Sequence, residues 1–137
     1  MKNKKIITID GPSASGKGLL ARELAKELDF ILLDSGLLYR AYSYCFDKEK
    51  NHDSAMNFFS QLSIEGVTGA MEVFEGNRNI TPALRHENIA LSASKLSSLK
   101  ETRENLIAFQ RGLANDYGLI ADGRDMGTVV FPDAATK

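Results

Sequence analysis

The stretch Asp10-Gly11-Pro12-Ser13-Ala14-Ser15-Gly16-Lys17-Gly18 constrains this chain more than any other, because of what stands on either side of it. Before it runs the β-branched segment Ile6-Ile7-Thr8-Ile9, and after it a pattern of helical period begins. A strand that ends in a glycine-rich turn and re-emerges as a helix brings curled backbone N–H groups and a helix start to one point, and both favour a phosphate. Gly11, four free positions, Gly16 and Lys17 fit G-x-x-x-x-G-K, in which the lysine reaches the β- and γ-phosphates of a nucleotide. The last position of that pattern, a Ser or Thr that binds Mg²⁺, is here Gly18, followed by Leu19.

The rest of the chain has the size to build one covered sheet around that loop. Its 137 residues are 43% hydrophobic, enough for the core of a single domain. With 17 basic and 18 acidic residues the net charge is −1, so phosphate affinity must be local, and neither a nucleic-acid polymer nor a membrane surface is expected as partner. One cysteine, Cys45, cannot form an internal disulfide or a cysteine-rich zinc site, which suits a reducing compartment and a role as core filler. The apolar stretch after Met1-Lys2-Asn3-Lys4-Lys5 ends at Asp10, too short for a signal-peptide core or a membrane span, so a cytoplasmic protein is expected.

Periodicity predicts an α/β fold. Lys5 to Ile9 reads as a strand of a covered parallel sheet, and Lys17 to Leu28 as a helix that buries Leu20, Leu24 and Leu28. Phe30 to Leu33 is a second strand, turned by Asp34-Ser35-Gly36 into a helix from about Leu37 to Phe46, whose Tyr42, Tyr44 and Phe46 are expected to pack. Leu62 to Val67 and Met71 to Phe74 suggest a small antiparallel insertion. From Pro82 onward a helical stretch reaches about Asp116, broken near Ser97 to Lys100, with Ile89, Ala93, Leu96, Leu106, Phe109 and Leu113 inward. Leu119 to Ala121 is a third core strand, running into Asp122-Gly123-Arg124-Asp125. Polar chemistry thus ends three strands, where open parallel sheets bind their ligands. His52 falls in a polar loop and is given no role, and His86 reads as a surface residue.

Residues 9 to 18, Leu33-Asp34-Ser35-Gly36-Leu37-Leu38-Tyr39-Arg40 and residues 121 to 134, in this order and spacing, closely resemble bacterial cytidylate kinases, members of the P-loop nucleoside monophosphate kinases. The resemblance implies a P-loop kinase core that transfers the γ-phosphoryl group of ATP to CMP or dCMP with Mg²⁺. It implies that Gly11, Pro12, Ser13, Ala14, Ser15, Gly16, Lys17, Gly18 and Leu19 hold the donor. Ser35, Arg40 and Arg124 would surround the acceptor phosphate and Tyr39 would help line the acceptor site, with Lys17, Arg40 and Arg124 carrying catalysis. Arginine suits that task, because its planar fork bonds phosphate in bidentate fashion and keeps its charge. Base choice would fall to Ser94, Arg103 and Asp125: a carboxylate and a hydroxyl accept from the exocyclic amine of cytosine while a guanidinium addresses its acceptors. Arg85 stands where the family commonly has Ile-Arg-Thr or Ile-Arg-Ser, here Leu84-Arg85-His86.

Asp122 ends its strand as a Walker-B-type aspartate would and is the expected Mg²⁺ residue, acting through water, with Asp10 and Asp34 as rivals that could equally cap a following helix. Leu19 replaces the family's common Thr, which removes a donor from the cradle and predicts weaker ATP binding. Residues 1 to 137 are expected to form one incomplete kinase domain with a monophosphate-binding insertion at about 36 to 115, lacking the lid and C-terminal strands. On that expectation the strand before the loop has an open edge, and the 137 residues alone aggregate or fold poorly and show no turnover; in full-length form a monomer is expected. Two alternatives stand beside this: a non-catalytic nucleotide-binding protein, or a P-loop kinase for another small acceptor.

Overall fold

The computed structural model describes residues 3–12, 16–67, 69–114 and 118–137. In chain order the elements are β1 (Asn3–Asp10), α1 (Lys17–Leu28), β2 (Ile31–Asp34), α2 (Ser35–Glu49), α3 (His52–Ser60), β3 (Ser63–Val67) and β4 (Ala70–Glu75). They continue with β5 (Arg78–Asn79), α4 (Thr81–Leu84), α5 (Glu87–Leu96), α6 (Lys100–Leu113), β6 (Leu119–Gly123), a π-helical turn at Met126–Val130, and β7 (Ala134–Thr136). One sheet has the order β2-β6-β1-β7, all pairs parallel, and a second has the order β3-β4-β5 with β4 and β5 antiparallel. This is the α/β architecture expected, a parallel sheet with helices and a small antiparallel element.

The chain divides into two compact units, the first made of Met1–Ser35, Gly66–Met71 and Phe109–Lys137, the second of Gly36–Glu65 and Glu72–Ala108. In the first, β6 is central, and all five of its residues are buried because both faces of a parallel sheet are covered. α1 matches its expected bounds, yet its packing stripe is not the expected one. Ala21 and Ala25 are fully buried against Leu32 and Ile120, with Leu24 partly buried beside them, while Leu20 and Leu28 are 57% and 43% exposed. The large side chains of β1, β2 and β6 already fill the space, so the helix approaches through its methyl groups, and the leucines of the same four-residue spacing lie to one side. Asp29 closes α1 in the left-handed conformation (φ 55°), its N–H on the carbonyls of Ala25 and Lys26.

Two further expectations are corrected here. No turn separates β2 from α2, which begins at Ser35 directly after Asp34. The expected open edge of β1 is also absent: Ala134–Thr136 folds back as β7 and pairs with β1 at Asn3↔Ala134 and Ile7↔Thr136. Buried Phe131 and Ala134 draw that segment onto the sheet, and Phe131 O accepts from the N–H of Ala134 at 3.1 Å to form the turn that reverses it.

In the second unit, α3 was not expected. Asn51 starts it, its side chain accepting from the N–H of Ser54 at 2.8 Å, so His52 belongs to a capped helix rather than a loop. His52 Nδ1 lies 2.6 Å from the hydroxyl of Tyr42, a buried α2 residue that also meets Phe59 edge-on. Tyr44 donates to Glu75 Oε1 at 2.6 Å, and Cys45 is fully buried, its thiol pushed up to about 12 chiefly by desolvation. The aromatics of α2 therefore pack, as expected. The helical stretch after Thr81 breaks at Arg85–His86 as well as between Ser97 and Leu99.

Candidate active site

Parallel register brings three strand ends to one edge of the first unit's sheet. Asp10 stands opposite Gly123 across β1 and β6, and Asp34 opposite Asp122 across β2 and β6. Polar side chains there stand beyond the last apolar layer, which is why the strand ends were legible in the sequence pattern. Gly16, at φ +84°, turns the chain into α1, a conformation that side chains other than glycine rarely adopt. Lys17 then starts the helix, and its Nζ donates to Asp122 Oδ1 at 2.5 Å, with the two side chains only 16% and 10% exposed. Ser13, Ala14 and Ser15 lie outside the described residues.

The three strand-end aspartates have different surroundings. Asp122 faces the lysine of the phosphate loop. Asp10 directs both carboxylate oxygens at backbone amides, taking Met126 N at 2.6 Å and Gly127 N at 3.0 Å. It caps a helical turn, as one of its two expected roles required, but the turn lies 116 residues away and not at α1. Of Asp10 and Asp122, a cation at this edge would look to Asp122, because both oxygens of Asp10 are taken by backbone amides. A Cβ at Gly18 would lie 3.5 Å from Arg22 Nη1 and 4.0 Å from Asp122 Oδ2, so the Arg22 guanidinium stands beside this edge as well. Among the described residues no three of His, Cys, Asp and Glu gather as a self-sufficient cation cage. A single carboxylate, with phosphate oxygens and water completing the shell, is how Mg²⁺ is usually held with nucleotides.

Gly123 is required by contact: a Cβ there would sit 2.7 Å from Ser35 Cβ and 2.9 Å from Met126 Sδ. Buried Ser35 is thereby packed against the start of the loop that carries Arg124 and Asp125. Both of those residues are exposed, and Asp125 has φ +57°, the left-handed region. Arg111, which sequence reasoning passed over, donates from Nε to Val130 O at 3.0 Å and from Nη2 to Val129 O at 2.8 Å. No local signal marks either clamp on the π turn, because each joins residues far apart in the chain.

The other candidates belong to the second unit. Tyr39 and Arg40 are half-buried on α2, and Ser94 and Arg103 are exposed on α5 and α6. Arg85 closes α4, and exposed His86 precedes α5. Leu19 is 59% exposed on the first turn of α1.

The family model "Cytidylate kinase" matches residues 7–137, nearly the whole chain. The chain belongs to the cytidylate kinase family. It is 43% identical over 141 positions to the cytidylate kinase of Pseudomonas syringae pv. tomato, covering 96% of this chain and 61% of that one. It is 42% identical over 142 positions to the cytidylate kinase of Acinetobacter baumannii, covering 97% and 62%. The bifunctional pantoate ligase/cytidylate kinase of Prochlorococcus marinus subsp. pastoris is 40% identical over 144 positions, which span all of this chain and 28% of that protein. The chain thus spans less than two thirds of the length of these relatives. Among the described residues no helix is long and apolar enough to cross a membrane.

Proposed function

We propose that this chain forms the phosphate-donor site and part of the acceptor site of a cytoplasmic cytidylate kinase, a transferase that moves the γ-phosphoryl group of ATP to CMP or dCMP. The observation that carries the reading is the short ion pair of Lys17, the first residue of the helix that follows β1, and Asp122, a carboxylate at the end of the neighbouring parallel strand β6. Family membership supports the same chemistry. In the reaction an oxygen of the CMP phosphate attacks the γ-phosphorus, the bond from that phosphorus to the β–γ bridging oxygen breaks, and CDP and ADP leave.

The nucleophile is already an oxyanion, so no general base is needed, and the work is alignment and charge neutralisation. Lys17 exchanges its partner, leaving Asp122 for the β- and γ-phosphates. Asp122, once released, would hold Mg²⁺ through water, and the cation when bound would supply charge neutralisation on the phosphate oxygens. Ser35, Arg40 and Arg124 surround the acceptor phosphate, Tyr39 lines the acceptor site, and Ser94, Arg103 and Asp125 address the base. The stretch of about 36 to 115 serves as the monophosphate-binding insertion.

The experiment is a coupled assay with Mg²⁺·ATP in which CMP, dCMP, UMP and AMP compete for the full chain. Phosphorylation of CMP and dCMP ahead of the other two is expected. A preference for UMP or AMP, or saturable ATP binding with no transfer to any of the four, would sink the reading.

A further inference from the structure

The π turn at Met126–Val130 directly follows Arg124 and Asp125, and it is gripped at both ends by charge. At its start the two oxygens of Asp10 take the N–H groups of Met126 and Gly127, and at its end the guanidinium of Arg111 takes the carbonyls of Val129 and Val130. A carboxylate on free amides and a cation on free carbonyls is the arrangement that complements the dipole of a helical turn. Such turns are scarce and recur at functional sites. Asp125, immediately before the gripped amides, holds a left-handed backbone that costs a non-glycine residue energy unless its neighbours enforce it. Asp10 is also the last residue of β1, next to Gly11 of the phosphate loop.

We propose that Asp10, with Arg111 at the other end, is a positioning residue for the acceptor side of the site: it fixes the π turn and so holds Arg124 and Asp125 in the conformation that receives the cytidine monophosphate. This rests on the proposed kinase reading. Both oxygens of Asp10 are engaged by backbone N–H groups, so its effect reaches the acceptor through Asp125 and leaves donor binding alone.

The test is Asp10→Asn in the full chain. Asparagine keeps the shape, but it presents one acceptor oxygen and an NH₂ group that faces the second amide donor to donor. The KM for CMP is expected to rise about tenfold while that for ATP stays within about twofold, as loss of one charge-assisted bond on one side of the site requires. Amide exchange at Met126 and Gly127 should accelerate by about tenfold or more. Arg111→Met, which frees the other end of the turn, should move the two KM values in the same unequal way, and serves if Asp10→Asn fails to fold. KM values for CMP and ATP that rise together overturn the proposal, since Asp10 would then support the donor loop or the fold as a whole. Unchanged exchange at Met126 and Gly127 overturns it too. That measurement needs no substrate, so it decides the clamp even if the coupled assay rejects CMP as acceptor.

Discussion

Asp122→Asn separates the two partners, Lys17 and the hydrated cation, that the proposed mechanism gives Asp122. At 2.5 Å and an effective dielectric constant of 20, the Lys17–Asp122 attraction is about 6 to 7 kcal/mol before desolvation is charged against it. Both side chains are mostly shielded, and a hydrogen bond between charged groups nets roughly 1.5 to 3 kcal/mol. Nucleotide must overcome that amount to recruit Lys17. Asparagine keeps a neutral acceptor worth about half, so it lowers the competing term by about 1.4 kcal/mol, a factor of ~10 in affinity. It also removes an anion facing the phosphates, which acts in the same direction. ATP binding measured by calorimetry in EDTA should therefore tighten about tenfold in Asp122→Asn. With Mg²⁺ the gain should vanish and turnover should fall, because the carboxylate proposed to hold water of the cation would be gone. A folded Asp122→Asn protein that binds Mg²⁺-free ATP no more tightly than the parent would refute the partner exchange.

Three more outcomes are expected. Leu19→Thr, at a 59% exposed site, should leave the melting temperature nearly unchanged while raising catalytic efficiency with ATP by up to about tenfold to a hundredfold, the worth of one hydrogen bond to a charged phosphate; equal or lower efficiency counts against it. Gly118→Ala would put a Cβ 2.2 Å from Phe30 ring carbons and should cost about 1 to 3 kcal/mol or more in denaturant unfolding, against less than about 0.5 for Leu20→Ala, and a reversed order would contradict the alanine-faced packing of α1. The Cys45 thiol, raised from 9.0 to about 12 by burial and by Glu75 and Glu49 against Lys48, keeps its proton in the folded chain after the unfolded chain has lost its own. Its contribution is therefore full below about pH 9 and lost towards pH 12. Stability in that window should fall less steeply in Cys45→Ala; Tyr42 and Tyr44, also raised by burial, are common to both proteins, and identical slopes would show the thiol to be accessible.

Much was legible in local sequence because its causes are local. The strand, the glycines and Lys17 fix the phosphate loop and the first residue of α1, and apolar runs ending in Asp10, Asp34 and Asp122 place those residues at the ends of parallel strands. Other features had weak or misleading local signals. Asn51 announced α3 by its capping chemistry, yet the polar run around it read as a loop. Leu20, Leu24 and Leu28 formed the larger apolar stripe, and only the crowding of Leu32 and Ile120 against the helix selected Ala21 and Ala25.

The sequence by itself determined the strand, the glycine-led turn into α1 and which polar residues stand at the strand ends, because backbone conformation and strand period are set by neighbouring residues. Tertiary structure alone decided what the charged groups at those ends do. Lys17 and Asp122 meet across 105 residues, Asp10 reaches amides 116 and 117 residues away, and β7 closes the edge of β1 from the far end of the chain. Such pairings depend on which strands become neighbours, and that follows from burying both faces of β6 rather than from any residue near the loop.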